Sequence, residues 1–216
     1  MKIQYYKQII NVAFNYVIQC SHKYNFDESH ALKHSMDVYH TANQIFNNEI
    51  IGTPELKDNK LVIDISAILH DMCDSKYVDE TTSVNNMMTY MSNYVNMDVL
   101  TPVTNIIRSM SYSTVLKKGY PDLGKYQLPY NIVREADLLA SYDVDRCIIY
   151  AMMRENMTYD DARKRAIILL RKRIPTYTEH NMFVTEYSKE KVQKLDVDLN
   201  SKLQLLEDTF GDITIE

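Results

Sequence analysis

An all-α fold follows from three properties of this 216-residue sequence. Apolar residues recur at spacings of three and four along most of the chain, the periodicity of amphipathic helices. Four glycines and five prolines in total are too few for the turns of a β-sandwich. A hydrophobic fraction of 45% with 25% charged residues is ordinary for a globular domain, and the length suits one domain of the larger sort.

Taken in order, residues 3 to 20 place Ile3, Tyr6, Ile10, Ala13 and Val17 on one stripe, which predicts a first helix. A second is predicted to open near Asn25, with Glu28 three residues later as in a capping box. Its buried stripe is Ala31, Val38, Ala42 and Ile45. Gly52-Thr53-Pro54 ends that pattern, and a third helix is expected to run to about Cys73. A fourth covers residues 80 to 95 with Val84, Met87, Met88, Met91 and Val95 inward, and a fifth runs from Asp98 to about Tyr112 with Pro102 in its first turn.

Residues 113 to 130 contain Gly119, Pro121, Gly124 and Pro129 and are predicted to be a loop, a candidate flap over a site. A long helix is expected from Ile132 to Met153. Thr158 with Asp161 then predicts a capped helix start, with that helix reaching about Arg173. From Ser188 the residues Val192, Leu195, Leu199, Leu203, Leu206 and Phe210 form a last helical stripe. It either packs on the domain or offers a homodimer face. The expected organisation is one helical domain over 1–176 and a C-terminal helical extension over 177–216 packed on it.

Charge and cysteine usage narrow the classes. A formal charge of −5 gives no general attraction to nucleic acid or to an anionic membrane. Cys20, Cys73 and Cys147 are odd in number, widely spaced and free of C-x-x-C, which argues against a disulfide framework or a structural zinc site. No run approaches the roughly 18 apolar residues that span a bilayer, and no apolar core follows the N-terminus as in a signal peptide. A cytoplasmic location is the expectation.

The candidate chemistry centres on His70-Asp71, which follows the apolar run Leu61-Val-Ile-Asp-Ile-Ser-Ala-Ile-Leu69. Upstream, His34 is followed four and eight positions on by Val38 and Ala42, so its side chain shares their inward helical face. Downstream, Asp137 sits in the apolar segment Val133-Arg-Glu-Ala-Asp137-Leu-Leu-Ala. Two histidines and two aspartates make a mixed nitrogen and oxygen set that suits Mn, Fe, Co, Ni or Zn better than calcium. Were all four to bind one six-coordinate ion, two positions would stay open for water and a substrate oxygen, and the ion could acidify that water.

These motifs resemble the HD-domain metal-dependent phosphohydrolases over roughly residues 25 to 150. The resemblance implies an HD-like helical bundle in which His34, His70, Asp71 and Asp137 hold one divalent ion, manganese first, with Mg²⁺, Co²⁺, Ni²⁺, Fe²⁺ and Zn²⁺ as alternatives. Asp74 and Lys76 complete His-Asp-x-x-Asp-x-Lys, which looks most like the nucleotide pyrophosphohydrolase branch. It implies a general-base role for Asp74, a phosphate clamp at Lys76 and a catalytic part for Asp71 as a ligand. His30, one turn before His34, resembles a position that some members also fill with histidine and is a candidate substrate contact. Cys73 is expected to be packing. The family's multi-metal members insert further histidines between HD and the last Asp, and residues 72 to 136 contain none. That favours one ion and disfavours a cyclic nucleotide phosphodiesterase.

Phosphate requires cations, and the candidates are Lys33, Arg108 and Arg134, with Lys117, Lys118 and Lys125 in the expected loop. Tyr112 or Tyr142 could stack on a base. The implied function is hydrolysis of a phosphate ester or anhydride of a small phosphorylated molecule, a nucleotide by preference. A non-catalytic scaffold that binds nucleotide or RNA, and a guanosine alarmone hydrolase, remain as alternatives. Arg163, Lys164, Arg165, Arg171, Lys172 and Arg173 crowd one predicted helix. They read either as a solvated face or as a docking site for nucleic acid or an acidic partner.

Overall fold

The computed structural model describes residues 3–74 and 78–210, the side chain of Phe210 excepted, and over these residues the chain is helical with no strand. Ten α-helices follow one another: α1 Ile3–Tyr24, α2 Leu32–Glu49, α3 Lys60–Leu69, α4 Glu80–Met91, α5 Met97–Ser109, α6 Tyr112–Lys118, α7 Gln127–Ala140, α8 Val144–Arg154, α9 Tyr159–Glu179 and α10 Glu186–Phe210. Short 3₁₀ turns at Pro54–Asn59 and Gly124–Tyr126 lead into α3 and α7. None of these helices is long and apolar enough to cross a membrane.

The apolar run before His70 forms α3, and every residue from Val62 to Leu69 is buried. A helix apolar on all sides belongs in the middle of a bundle, and α3 packs on α1, α2, α5 and α7. Its one carboxylate, Asp64, is fully buried but paired with Lys60 and hydrogen-bonded by Tyr6 Oη and Asn43 Nδ2. A buried charge needs that many partners. Helices α2 and α7 pack on α3 and on each other, α8 packs on α9, and α10 lies against α2, α7 and α9.

Four expected boundaries move, each for a local reason. Asn25 does not start α2. It ends α1 in the left-handed conformation with φ of 51°, which asparagine tolerates better than most residues, and α2 begins only at Leu32. The predicted loop over 113–130 is largely helical. Ser111 caps α6 by accepting from Thr114 N, Gly119 stops it with φ of 76°, and Pro129 falls in the first turn of α7, where no helical donor is missed. The expected long helix to Met153 breaks after Ala140. Asp143 takes the backbone N–H of Asp145 and so opens α8 as a separate helix. Finally α9 continues through Pro175 to Glu179, so a domain boundary after residue 176 would fall inside a helix.

Other expectations hold. Thr158 caps α9 by accepting from Asp161 N, and Val38, Ala42 and Ile45 are fully buried on α2. The α10 stripe buries Leu199 and Leu203 against the chain's own helices, with Val192, Leu195 and Leu206 partly buried beside them. On α1 the buried stripe is Ile9, Ala13, Tyr16, Val17 and Cys20, and Ile3 is exposed.

Candidate metal centre

Three mutually packed helices bring the four predicted ligands together. His34 lies in the first turn of α2, His70 ends α3 with helical backbone, Asp71 follows it in the turn, and Asp137 points in from α7. His34, His70 and Asp71 are all buried. His34 Nε2 lies 2.9 Å from His70 Nε2, 3.3 Å from Asp71 Oδ2 and 3.2 Å from Asp137 Oδ1. His70 Nε2 lies 3.3 Å from Asp71 Oδ2 and 3.7 Å from Asp137 Oδ1.

These separations match the edges of a coordination polyhedron. With bonds near 2.1 Å, neighbouring ligand atoms stand about 3.0 Å apart in an octahedron and about 3.4 Å apart in a tetrahedron. Three of the ligands, His34, His70 and Asp137, converge within 4.8 Å, and Asp71 joins them through Oδ2. That same Oδ2 is buried with no well-formed hydrogen bond, its nearest donors being the two imidazoles at 3.3 Å and the Arg146 guanidinium at 3.6 Å, so a cation would complete its neutralisation. His70 is oriented for ligation as well. Its Nδ1 lies 2.9 Å from the Ala67 carbonyl, so Nδ1 carries the proton and the Nε2 lone pair faces the cluster. His34, His70 and Asp137 therefore fit a divalent cation held by two imidazole nitrogens and a carboxylate oxygen, with Asp71 Oδ2 beside them.

Electrostatics agree with the geometry. Burial opposes charge on His70, but the carboxylates of Asp71 and Asp137 and the bond to Ala67 outweigh it, raising its pKa to about 9. Burial also opposes the charge on the two aspartates, yet the neighbouring histidines hold Asp71 and Asp137 well below the usual carboxylate range. Without an ion, the raised pKa keeps a proton on His70.

Two cavities are lined by both Asp71 and Asp137. The smaller, of about 90 Å³, is lined by His70, Asp71, Asp74, Glu80, Arg108 and Asp137 among others. The larger, of about 330 Å³, runs from Asp71 and Asp137 past His30 and Tyr112 to Arg146, Arg165 and Arg173. Asp74 lines both, one turn beyond Asp71.

The remaining candidates divide. His30 lines the larger cavity, its ring 5.6 Å from that of Tyr150 and 6.2 Å from that of His34. Arg108 lines the smaller one while paired with Glu80 at 3.0 Å. Lys33 and Arg134 line neither. Lys33 points to solvent in an ion pair with Asp37. Arg134 is only 1% exposed, pairs with Glu135 and lies against the rings of Tyr120 and Tyr130. Lys117, Lys118 and Lys125 are exposed and line neither cavity. Tyr112 lines the larger cavity, whereas Tyr142 is buried with its hydroxyl donating to Asp196. Cys73 is buried packing, and burial pushes its thiol up to about 12. Lys76 lies outside the described residues.

Sequence reasoning missed Arg146. Its guanidinium sits 3.6 Å from Asp71 Oδ2 and 3.8 Å from Asp137 Oδ1, and its Nε donates to the carbonyl of Ser29. On one continuous helix Arg146 would fall on the face opposite Asp137. The break at 141–143 turns α8 back so that it reaches the cluster. The capping signal, Asp143, was present in the sequence but hidden by the apolar periodicity running through it.

The basic run on α9 also resolves into individual roles. Arg163 is buried and bonded to Asp160 and to the Leu206 carbonyl, Lys164 pairs with Asp160, and Arg171 pairs with Glu207. Arg165 and Arg173 face the larger cavity. Comparison of the chain with family models, with curated proteins and with solved structures finds no match in any of the three.

Proposed function

We propose that this chain is a metal-dependent phosphohydrolase of HD type that cleaves a phosphate ester or anhydride, with a nucleotide as the preferred substrate. One observation carries the reading. His34, His70 and Asp137, from three packed helices, bring ligand atoms within 4.8 Å of one another, with Asp71 Oδ2 3.3 Å from both imidazoles, beside a cleft lined by arginines.

A divalent ion bound there would supply Lewis acidity, acidifying coordinated water and offsetting charge on the phosphoryl group. Ala67 holds His70 in the ligating tautomer, and burial excludes bulk water from the two imidazoles. Asp74 sits beside Asp71 on the wall of both cavities, in position to take a proton from the attacking water. Arg146, beside both aspartates, presents a guanidinium fork to the phosphate being cleaved.

The nucleic-acid alternative loses support from α9, because Arg163, Lys164 and Arg171 are engaged within the chain. Metal analysis of the purified protein, followed by a phosphate- and pyrophosphate-release screen over nucleotides with added Mn²⁺, separates enzyme from scaffold. Turnover by the wild type and its loss in Asp71→Ala is the expected result. An Asp71→Ala variant that releases product as fast as the wild type would overturn the mechanism.

A further inference from the structure

The larger cleft is lined by three arginines, Arg146, Arg165 and Arg173, as well as by Asp71, Asp74 and Asp137. Arg146 already stands beside Asp71 and Asp137, where the phosphate to be cleaved would lie. Arg165 and Arg173, on α9, line the same cavity. With Leu169 they follow one another at four-residue intervals, so all three project from one face of the helix. Arg165 and Arg173 are thus anchored about 12 Å apart along the axis, at 1.5 Å per residue. A cavity of about 330 Å³ is larger than a single phosphate fills.

The two arginines are held differently from each other. Arg165 shares its charge with Glu155 at 2.6 Å. Arg173 has no carboxylate partner among the described residues; its guanidinium lies 4.5 Å from the Tyr112 ring centroid and 5.8 Å from that of Tyr177. Stacking fixes the plane of a guanidinium while leaving its N–H edge free to donate, and that edge matches phosphate oxygens in pairs.

We infer that the substrate carries a second phosphate group besides the one cleaved, and that Arg165 and Arg173 bind it. The inference rests on the phosphohydrolase reading for the identity of the first phosphate. Under it, Arg165 and Arg173 select compounds with two or more phosphoryl groups over monophosphates, and Tyr112 positions Arg173.

The test is calorimetric binding of inorganic tripolyphosphate and of orthophosphate to the metal-free protein in chelator, with Mn²⁺ binding titrated separately. Tripolyphosphate is expected to bind about tenfold or more tighter than orthophosphate, as charge-assisted hydrogen bonds to a second group would produce. The Arg165→Gln/Arg173→Gln double variant should lose that preference and keep wild-type Mn²⁺ affinity. An Arg165→Lys/Arg173→Lys variant, which retains the charge and guards against misfolding, should keep part of it. Arg171→Gln, on the same helix but paired with Glu207, should match the wild type. Equal affinity for the two anions in the wild type, or an unchanged preference in the folded double variant, overturns the inference. A protein that binds no Mn²⁺ defeats the phosphohydrolase reading instead, and the tripolyphosphate measurement still judges the arginines.

Discussion

Helix α7 carries two buried acidic clusters two residues apart, and they are built in opposite ways. Glu135 is fully buried and accepts from Val184 N at 2.9 Å, Thr185 N at 3.2 Å and Thr185 Oγ1 at 2.6 Å, with Arg134 Nη2 at 3.3 Å. Thr185 in turn accepts from Ser188 N in the first turn of α10. Both carboxylate oxygens of Glu135 are thereby closed off by hydrogen bonds, although Arg134 Nε and Nη1 are buried without a partner, and the cluster fastens α10 to the bundle. Asp137 points the other way, since positions two apart on a helix diverge by about 200°. It meets His34, His70 and Asp71, one of whose carboxylate oxygens makes no well-formed hydrogen bond, beside an open cleft. Burial and charge alone do not distinguish a structural joint from a functional site. What distinguishes them is that the oxygens of Glu135 are saturated by donors from the chain itself, whereas Asp71 and Asp137 line a cavity.

The largest effect expected from this contrast is on stability at the closed cluster. Glu135→Ala strands Arg134 and three donors, and should destabilise the fold by about 3–5 kcal/mol in urea denaturation. The folded fraction should keep its Mn²⁺ affinity. A loss below about 1 kcal/mol would break the comparison, because the cluster would then not be a joint. Asp137→Ala should do the reverse. Mn²⁺ binding should weaken by about a hundredfold or more, while stability in chelator changes by less than about 1 kcal/mol.

A third test uses pH. In the metal-free protein the pKa of His70 is raised from 6.5 to about 9, so the folded state holds a proton that the unfolded chain releases earlier. Its contribution to stability is therefore complete below about 6.5 and is lost as the pH rises through about 9. Urea midpoints in chelator should fall across that window. With saturating Mn²⁺ the fall should largely vanish, because a ligating imidazole is neutral. Titrating Mn²⁺ near neutral pH in buffers of different ionisation enthalpy should accordingly register about one proton released per ion. No proton release would mean that the histidines do not ligate. The smallest effect belongs to Lys33→Ala, which removes an exposed ion pair with Asp37 and should change stability by no more than about 0.5 kcal/mol, with metal and phosphate binding unchanged.

Much of this was legible from local pattern. The apolar run before His70 predicts a buried helix, and the residues four and eight after His34 show which way its side chain points. The Thr158 cap and the burial of Leu199 and Leu203 were readable for the same reason. Reading failed where two local signals competed. Glycines and prolines at 119–129 signalled a loop, but Gly119 and Pro129 only bound helices there. Apolar periodicity across 132–153 concealed the cap at Asp143. The cations were read least well. Lys33 and Arg134 are close in sequence to ligands but face solvent and the protein interior, whereas Arg146, Arg165 and Arg173 are distant from them in sequence and line the cleft.

The helical character of the segments around the central residues follows from periodicity, because a helix dictates which neighbours share a face, and the choice of His34, His70, Asp71 and Asp137 follows from their resemblance to a family motif. The partners of those residues do not. That Asp137 turns inward while Glu135 clasps α10, and that α8 and α9 return arginines to the same cleft, depends on where distant helices pack. Charge has no period along a chain. Its role is set by what lies within a few ångströms, and only the packed bundle specifies that.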